Sequence, residues 1–300
     1  MPLFTVFTPT FNRAHTLPQL YQSLKKQKMM DFEWLIVDDG STDNTEQLVD
    51  SWIQEGTEFP IRYYKKENGG KPRAINYGIK YAMGVFFFMV DSDDFLLPEA
   101  LSKMNQWCKE IEEDPTYIGV GAARGFPDGS YIKGVAPKVN EKGYVDATNL
   151  QRAEYNLDAD MCEAYKTDVF KKYPMPEWPN EKFAPEQIAL NEIALDGYYL
   201  RWHSDIIYQC DYLEDGLTKG SQLLEKNNPM GYAMMYIHML KYPNRSVKQK
   251  FYDACQMVAL SIVGGHLDYI LKSENKKLTL LAFIPGSLLA VRRKQQFRKV

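Results

Sequence analysis

Val85-Phe86-Phe87-Phe88-Met89-Val90-Asp91-Ser92-Asp93-Asp94 is an uncharged apolar run that stops abruptly at a group of carboxylates. Its length and its aromatic and β-branched content predict a strand buried on both faces of a parallel sheet. Ligands of such sheets gather beyond the carboxyl ends of the strands, so Asp91, Ser92, Asp93 and Asp94 are expected to face a crevice. Carboxylates this close repel one another, and a hard divalent cation that bridges to phosphate oxygens neutralises them. The competing reading is a solvated loop that caps the next helix, because Leu97-Pro98-Glu99-Ala100 follows soon after. An Asp-x-Asp triplet alone does not separate the two.

An earlier segment ends in the same way. Phe32-Glu33-Trp34-Leu35-Ile36-Val37 reads as a strand that runs into Asp38-Asp39-Gly40-Ser41-Thr42-Asp43, and a helical pattern follows from Glu46 to Ile53. Gly40 permits a sharp turn, and Ser41, Thr42 or Asp43 can cap the helix. Capping leaves Asp38 and Asp39 with no structural duty, and a carboxylate at a strand end can accept hydrogen bonds from a base or a ribose. At the amino terminus, Leu3 to Phe7 reads as a strand. Thr8-Pro9-Thr10-Phe11-Asn12-Arg13 then turns the chain towards a helix with Leu17, Leu20 and Leu24 on its apolar face. Neither Gly-x-Gly-x-x-Gly nor a P-loop pattern occurs there, which argues against a dinucleotide dehydrogenase and a P-loop enzyme. In Glu67-Asn68-Gly69-Gly70-Lys71-Pro72-Arg73, the glycine pair sets Lys71 and Arg73 at the start of a helix, where backbone N–H groups also favour anions.

Taken in order, the segments Thr8 to Arg13, Val37 to Asp43, Asn68 to Gly78 and Val90 to Asp94 resemble the family 2 glycosyltransferases of GT-A fold, of the bacterial polysaccharide type. The resemblance runs from residue 3 to about 100, with a weaker echo to about 220. It implies an α/β nucleotide-diphospho-sugar transferase fold, a Rossmann-like mixed sheet flanked by helices, with a helical carboxyl-terminal extension. It also implies Asp39 on the uracil edge, Thr8, Pro9, Thr10 and Asn12 in the nucleotide pocket, and Lys71 beside the nucleotide. Asp91 and Ser92 then meet the donor, and Asp91 and Asp93 hold Mg²⁺ or Mn²⁺ against the diphosphate, with Asp93 the more direct ligand.

The middle of the chain is less regular. Gly119, Gly121, Gly125, Gly129, Gly134 and Gly143 punctuate it, Phe126 to Ser130 reads as a hairpin turn, and 124–145 is expected to be a mobile loop. Apolar residues at Ile188, Ala189, Ile193 and Leu195 predict a helix with Pro185 and Glu186 in its first turn. An acid there suits the helix dipole in any case. Relatives place Glu-Asp at this point, and the acid deprotonates the acceptor hydroxyl. This chain has Glu186-Gln187, so the base falls to Glu186, because an amide cannot take the proton. Asp215 stands in a segment like one found after the acceptor region in relatives. His203 next to Trp202 reads as a packing residue before a metal ligand, and Trp178 in its proline-rich loop as a sugar platform or a core anchor.

With 300 residues and 45% apolar content the chain can hold a large α/β domain and a helical extension. The expected division is 1–220 as the catalytic domain and 221–300 as the helical extension. Residues 1–110 would form the nucleotide-sugar half of that domain and 111–220 the acceptor-side half. A net charge of −3 gives no support for nucleic-acid binding. Cys108, Cys162, Cys210 and Cys255 are widely spaced, and no signal peptide is visible, which predicts reduced, mostly buried thiols in a cytosolic protein. Helical patterns fill 229–242 and 247–271. Leu278 to Val291 is then apolar and interrupted by Pro285-Gly286, too short for a bilayer span of about 20 residues. Residues 271–300 hold eight Lys or Arg against one Glu, so the other 270 residues carry −10 (28 basic minus 38 acidic). An apolar stretch beside basic residues suits an anionic membrane surface at the cytoplasmic face. The alternative is a buried final helix with a solvated tail.

The resemblance thus implies a metal-dependent, inverting transfer of a hexose or N-acetylhexosamine from a UDP-sugar to a saccharide or lipid-linked saccharide. A catalytically inactive nucleotide-sugar-binding protein is the alternative that Gln187 keeps open. A nucleotidyltransferase of related fold needs a glycine-rich basic loop that Thr8 to Arg13 does not offer.

Overall fold

In the computed structural model, which describes residues 1–210 and 221–298, three strands open the chain. They are β1 (Phe4–Thr10), β2 (Phe32–Asp38) and β3 (Ile61–Lys65), linked by α1 (Leu17–Lys25) and α2 (Thr45–Glu55). Helix α3 (Lys71–Tyr81) then leads to β4 (Phe86–Met89). These strands are parallel in the order β3-β2-β1-β4. Next come β5 (Phe95–Leu96), α4 (Ala100–Ile111), β6 (Tyr117–Gly125), β7 (Tyr144–Ala147) and a 3-10 helix, Asn149–Tyr155. β8 (Met161–Lys166), α5 (Thr167–Phe170), α6 (Gln187–Leu195) and β9 (Tyr199–Gln209) follow. β8 lies antiparallel between β4 and β6, β9 is parallel to β6, and β5 and β7 pair antiparallel with β9.

The Phe86 strand is therefore the seam of a mixed sheet and not the middle of a parallel one. Its apolar run reports burial on both faces, which helices on both sides provide whatever the direction of the neighbours. Side chains alternate across it. Phe86 and Phe88 join Phe4, Trp34 and Ile36 in a core closed by Leu20 of α1, Trp52 of α2 and Trp107 of α4. Phe87 stacks on Phe7 and Phe170 on the other face. Glu33 is wholly buried there, and Arg62 at 2.9 Å, Thr5 at 2.6 Å and the Met83 amide at 2.8 Å satisfy it.

β1 also runs on to Thr10, past the expected turn at Thr8. Successive residues address opposite neighbours. The Phe7 carbonyl accepts the Val90 N–H on the β4 side, and the Thr10 carbonyl accepts the Asp39 N–H on the β2 side. Pro9 addresses β4, whose paired register with β1 ends at Phe7, so the N–H it lacks is not required.

The chain divides into two units, Met1–Pro174 with Leu190–Asp211, and Met175–Ala189 with Tyr212–Val300. In the second unit, α7 (Ser221–Asn227), α8 (Pro229–Met239), α9 (Val247–Val263), α10 (Leu267–Ile270) and α11 (Lys276–Phe297) are helical. The 247–271 pattern breaks at Gly264-Gly265, whereas α11 continues through Pro285-Gly286 as one helix. Gly286 lies so close to α9 that a Cβ there would stand 2.7 Å from Val258. The described residues include no helix long and apolar enough to cross a membrane.

Candidate active site

The parallel strands deliver their carboxyl ends to one edge of the sheet. Ladder bonds continue one step beyond each strand, from Val90 to Phe7, from Asp39 to Thr10 and from Lys66 to Asp38, and the chain then peels away. Asp39, Lys66 and the Asp91 to Asp94 turn are thereby gathered at the point where β1 separates from β4.

Asp39 is buried, and it organises the loop before α3. Its Oδ1 accepts from Lys66 Nζ at 2.6 Å and from the Gly69 N–H at 2.9 Å, and its Oδ2 accepts from the Gly70 N–H at 2.6 Å. The Asn68 amide donates to the Asp39 carbonyl at 2.8 Å. Gly70 has φ +93°, a conformation that only glycine adopts without strain, and this turns both glycine amides onto the carboxylate. Each carboxylate oxygen can accept two hydrogen bonds, so Oδ2 retains one acceptor direction. Asp38 is wholly buried, with Oδ1 on the Ser41 N–H at 2.7 Å and Oδ2 accepting from the Tyr63 hydroxyl. Both acids therefore have the structural duties that the sequence reading denied them.

The β1 end divides by alternation. Thr8 is wholly buried, and its hydroxyl accepts from the Trp34 indole at 3.0 Å, so it faces the core. Thr10 points to the same face, and its buried hydroxyl has no hydrogen-bond partner among the described residues. Pro9 is on the opposite face. Asn12 takes a left-handed conformation at φ 54°. Its side-chain oxygen accepts the Thr42 N–H at 2.8 Å, and its own N–H donates to Ser41 Oγ at 2.8 Å, which ties the β1 loop to the β2 loop.

At β4 the acids meet cations. Lys71, the first residue of α3, places Nζ 2.8 Å from Asp91 Oδ1. Arg124, on β6, approaches Asp91 Oδ2 at 3.1 Å and Asp94 Oδ2 at 3.3 Å, and lies over the Tyr208 ring at 4.1 Å. The Tyr208 hydroxyl donates to Asp94 at 2.7 Å and accepts the Asp91 N–H at 2.9 Å. Burial disfavours the Asp91 anion, but Lys71 and Arg124 outweigh it and hold the carboxyl well below its usual range. Asp94 is pushed up to about 7 by burial and by the charge of Asp91. Asp93 is raised for the same two reasons, against the charges of Arg13 and Lys71. Nothing in the sequence marks Arg124 or Tyr208, which lie in a glycine-rich strand and a mixed polar and apolar strand.

The donor set suits a hard cation. Asp93 is half-buried and stands in the field of Asp91, with Arg13 and Lys71 acting against it. The described residues include no cluster of three or more His, Cys, Asp or Glu side chains placed to hold a metal. Two carboxylates completed by phosphate oxygens and water are the usual surroundings of Mg²⁺ at nucleotides. Lys71 and Arg124 occupy the Asp91 oxygens with positive charge in this state.

The remaining candidates are on other elements. Glu186 belongs to the second unit and directly precedes α6, which starts at Gln187 and not at Pro185 as the pattern predicted. It is half-buried and Gln187 is exposed. In the same unit Trp178 packs edge-on against His266 and Tyr269, each at 5.1 Å, an anchor in a hydrophobic cluster. His203 is a packing residue stacked on Trp107 at 4.1 Å, and burial pulls its pKa down to about 4. The four cysteines are buried and free. Asp215 lies outside the described residues.

The model of the family "Glycosyl transferase family 2" matches residues 5–173. The chain is 34% identical over 200 residues to the poly(ribitol-phosphate) beta-N-acetylglucosaminyltransferase TarS of Staphylococcus aureus (strain MW2), covering 65% of this chain and 32% of that protein. Across three curated relatives that it matches, the chain spans 13% to 32% of their length. A crystal structure of S. aureus TarS 1–349 in complex with UDP-GlcNAc superimposes with a TM-score of 0.64 at 22% identity, covering 95% of this chain and 81% of that one. The mannosyltransferase PcManGT of Pyrobaculum calidifontis, in complex with GDP-Man and Mn²⁺, gives 0.58 at 14% identity, with coverages of 97% and 87%. The fold is that of the GT-A glycosyltransferases, as the sequence predicts.

Proposed function

Because the chain belongs to glycosyl transferase family 2, we propose that it moves a hexosyl or N-acetylhexosaminyl group, with inversion, from a UDP-sugar to a hydroxyl acceptor in surface polysaccharide or glycolipid assembly. The observation that carries this reading is the convergence of Asp39, Lys71, Asp91 and Asp93 at the carboxyl ends of the parallel strands. The UDP and UDP-GlcNAc held by TarS support the choice of donor, and the Mn²⁺ beside GDP-Man in PcManGT supports a metal.

The free acceptor direction on Asp39 Oδ2 receives the uracil N3–H, while Pro9 and the β1 end border the base. Ser92 meets the donor beside Asp91. Asp91 and Asp93 would hold a divalent cation, which would supply positive charge to the departing diphosphate. Lys71 adds a second charge at the amino terminus of α3, whose dipole also favours phosphate. Glu186 takes the proton of the acceptor hydroxyl, whose oxygen forms the new bond to the anomeric carbon. The old bond breaks and its electron pair leaves with UDP. The acceptor is a saccharide or lipid-linked saccharide at the cytoplasmic face of a membrane. Incubation with a panel of nucleotide-sugars tests the reading. Release of UDP from one UDP-sugar is expected, and binding without turnover of any donor would identify an inactive binding protein.

A further inference from the structure

Helix α11 has two apolar faces. Thr279, Ala282, Gly286, Ala290 and Phe297 are buried, and Gly286 lets the helix approach α9 closely. On the opposite side, Leu280 is 77% exposed, Ile284 73%, Leu288 68% and Val291 58%. Their spacing of i, i+4, i+8 and i+11 aligns them in one ridge about 16 Å long at the helical rise per residue. Leu281 and Phe283 widen the ridge on either side. An exposed apolar strip of this kind marks an interaction surface and not ordinary surface scatter.

The charges choose the occupant. Lys276 and Lys277 stand exposed at one end of the ridge, and Arg292, Lys294 and Arg298 at the other. Arg293 is turned inward to Gln256 at 2.6 Å and to Glu225 at 3.1 Å, so the exposed cations are not part of that internal pairing. Two copies of this helix joined along the ridge would set basic ends against basic ends, whether they ran parallel or antiparallel. A bilayer with anionic headgroups instead accepts the leucines between its acyl chains and pairs with lysine and arginine at both ends. The helix cannot leave the interface for the bilayer core, because its small-residue face is already packed on α9 and Pro285 interrupts its hydrogen bonding.

We infer that α11 is a monotopic membrane-docking helix that lies in the plane of an anionic bilayer, with Leu280, Ile284, Leu288 and Val291 inserted. That it brings the enzyme to a lipid-linked acceptor rests on the transferase reading, whereas the docking itself does not. The full chain is sedimented with vesicles of phosphatidylcholine alone and of phosphatidylcholine with phosphatidylglycerol, at low and high salt. The expected result is binding to the anionic vesicles that weakens with salt. The triple variant Leu280→Ser, Ile284→Ser, Leu288→Ser is expected to lose about tenfold or more in vesicle affinity. Lys277→Glu with Arg292→Glu should remove the dependence on lipid charge. These side chains are exposed, so unchanged thermal melting of each variant establishes that it is folded, and UDP titration of the same samples reports on the transferase reading separately. Indifference of the full chain to lipid charge would overturn the inference. So would a dimer that the serine variant dissociates while vesicle binding is absent.

Discussion

Replacing Arg124 by methionine tests the electrostatic construction of the site. The guanidinium is largely buried and touches Asp91 and Asp94, its Nε donates to the Met161 carbonyl at 2.8 Å, and it covers Tyr208. Methionine keeps much of the volume, so the loss is mainly of charge and hydrogen bonds. Breaking a buried ion pair costs about 3–5 kcal/mol, because the partner charge stays behind. Here Asp94 can relieve part of that by taking a proton, which makes the cost depend on pH. In the parent, the folded Asp94 pKa of about 7 lies above its unfolded value. This acid therefore favours the folded state most at low pH, and its contribution declines as pH rises from about 4 to 7. Removing Arg124 raises that pKa further and extends the decline to higher pH, by about 1.4 kcal/mol per unit of added shift. The deficit of Arg124→Met should then be larger at pH 8.5 than at pH 5.5, with Tm lowered by roughly 10 °C at the higher value. Asp94→Asn in the same chain should restore part of it. Urea unfolding at the two pH values measures this, and a deficit below about 1 kcal/mol, or one equal at both, would refute the reasoning.

Asp39→Asn should weaken UDP binding by about tenfold or more, since the amide no longer matches the Lys66, Gly69 and Gly70 donors and their loop loosens. Titration with UDP measures it. Glu186→Gln should lower kcat by about 10²–10⁴ with little change in UDP affinity, and Gln187→Ala should be mild. Steady-state transfer kinetics check the pair. Gly286→Val should cost about 1–3 kcal/mol, because its Cβ meets Val258 at 2.7 Å and the Cys255 carbonyl at 2.9 Å, and chemical denaturation reads it directly.

The strand ends were legible because each pairs a charge-free run with a carboxylate, a contrast that survives without knowledge of neighbours. Lys71 was placed at a helix start by the Gly69-Gly70 pair, and the structure puts it there. What the sequence hid is set by partners distant in the chain. The antiparallel seating of β8 against β4 leaves no local trace, and Arg124 acquires its role only because β6 stacks beyond β8. Thr8 was read as a turn residue, whereas strand alternation directs its hydroxyl to Trp34. Asp38 and Asp39 resembled free acids until the amides of Ser41, Gly69 and Gly70 folded back onto them. The apolar segment 278–291 was legible as amphiphilic, but its division into a packed face and an exposed ridge required α9.

The most direct test of a metal-assisted nucleotide site is calorimetric titration of the protein with UDP in Mn²⁺ and in excess chelator, for the parent and for Asp93→Ala. The parent should bind UDP at least about tenfold more tightly with metal, and Asp93→Ala should bind weakly and equally in both buffers while melting like the parent. Equal affinity of the parent with and without metal, or a metal response that survives in Asp93→Ala, would contradict the account.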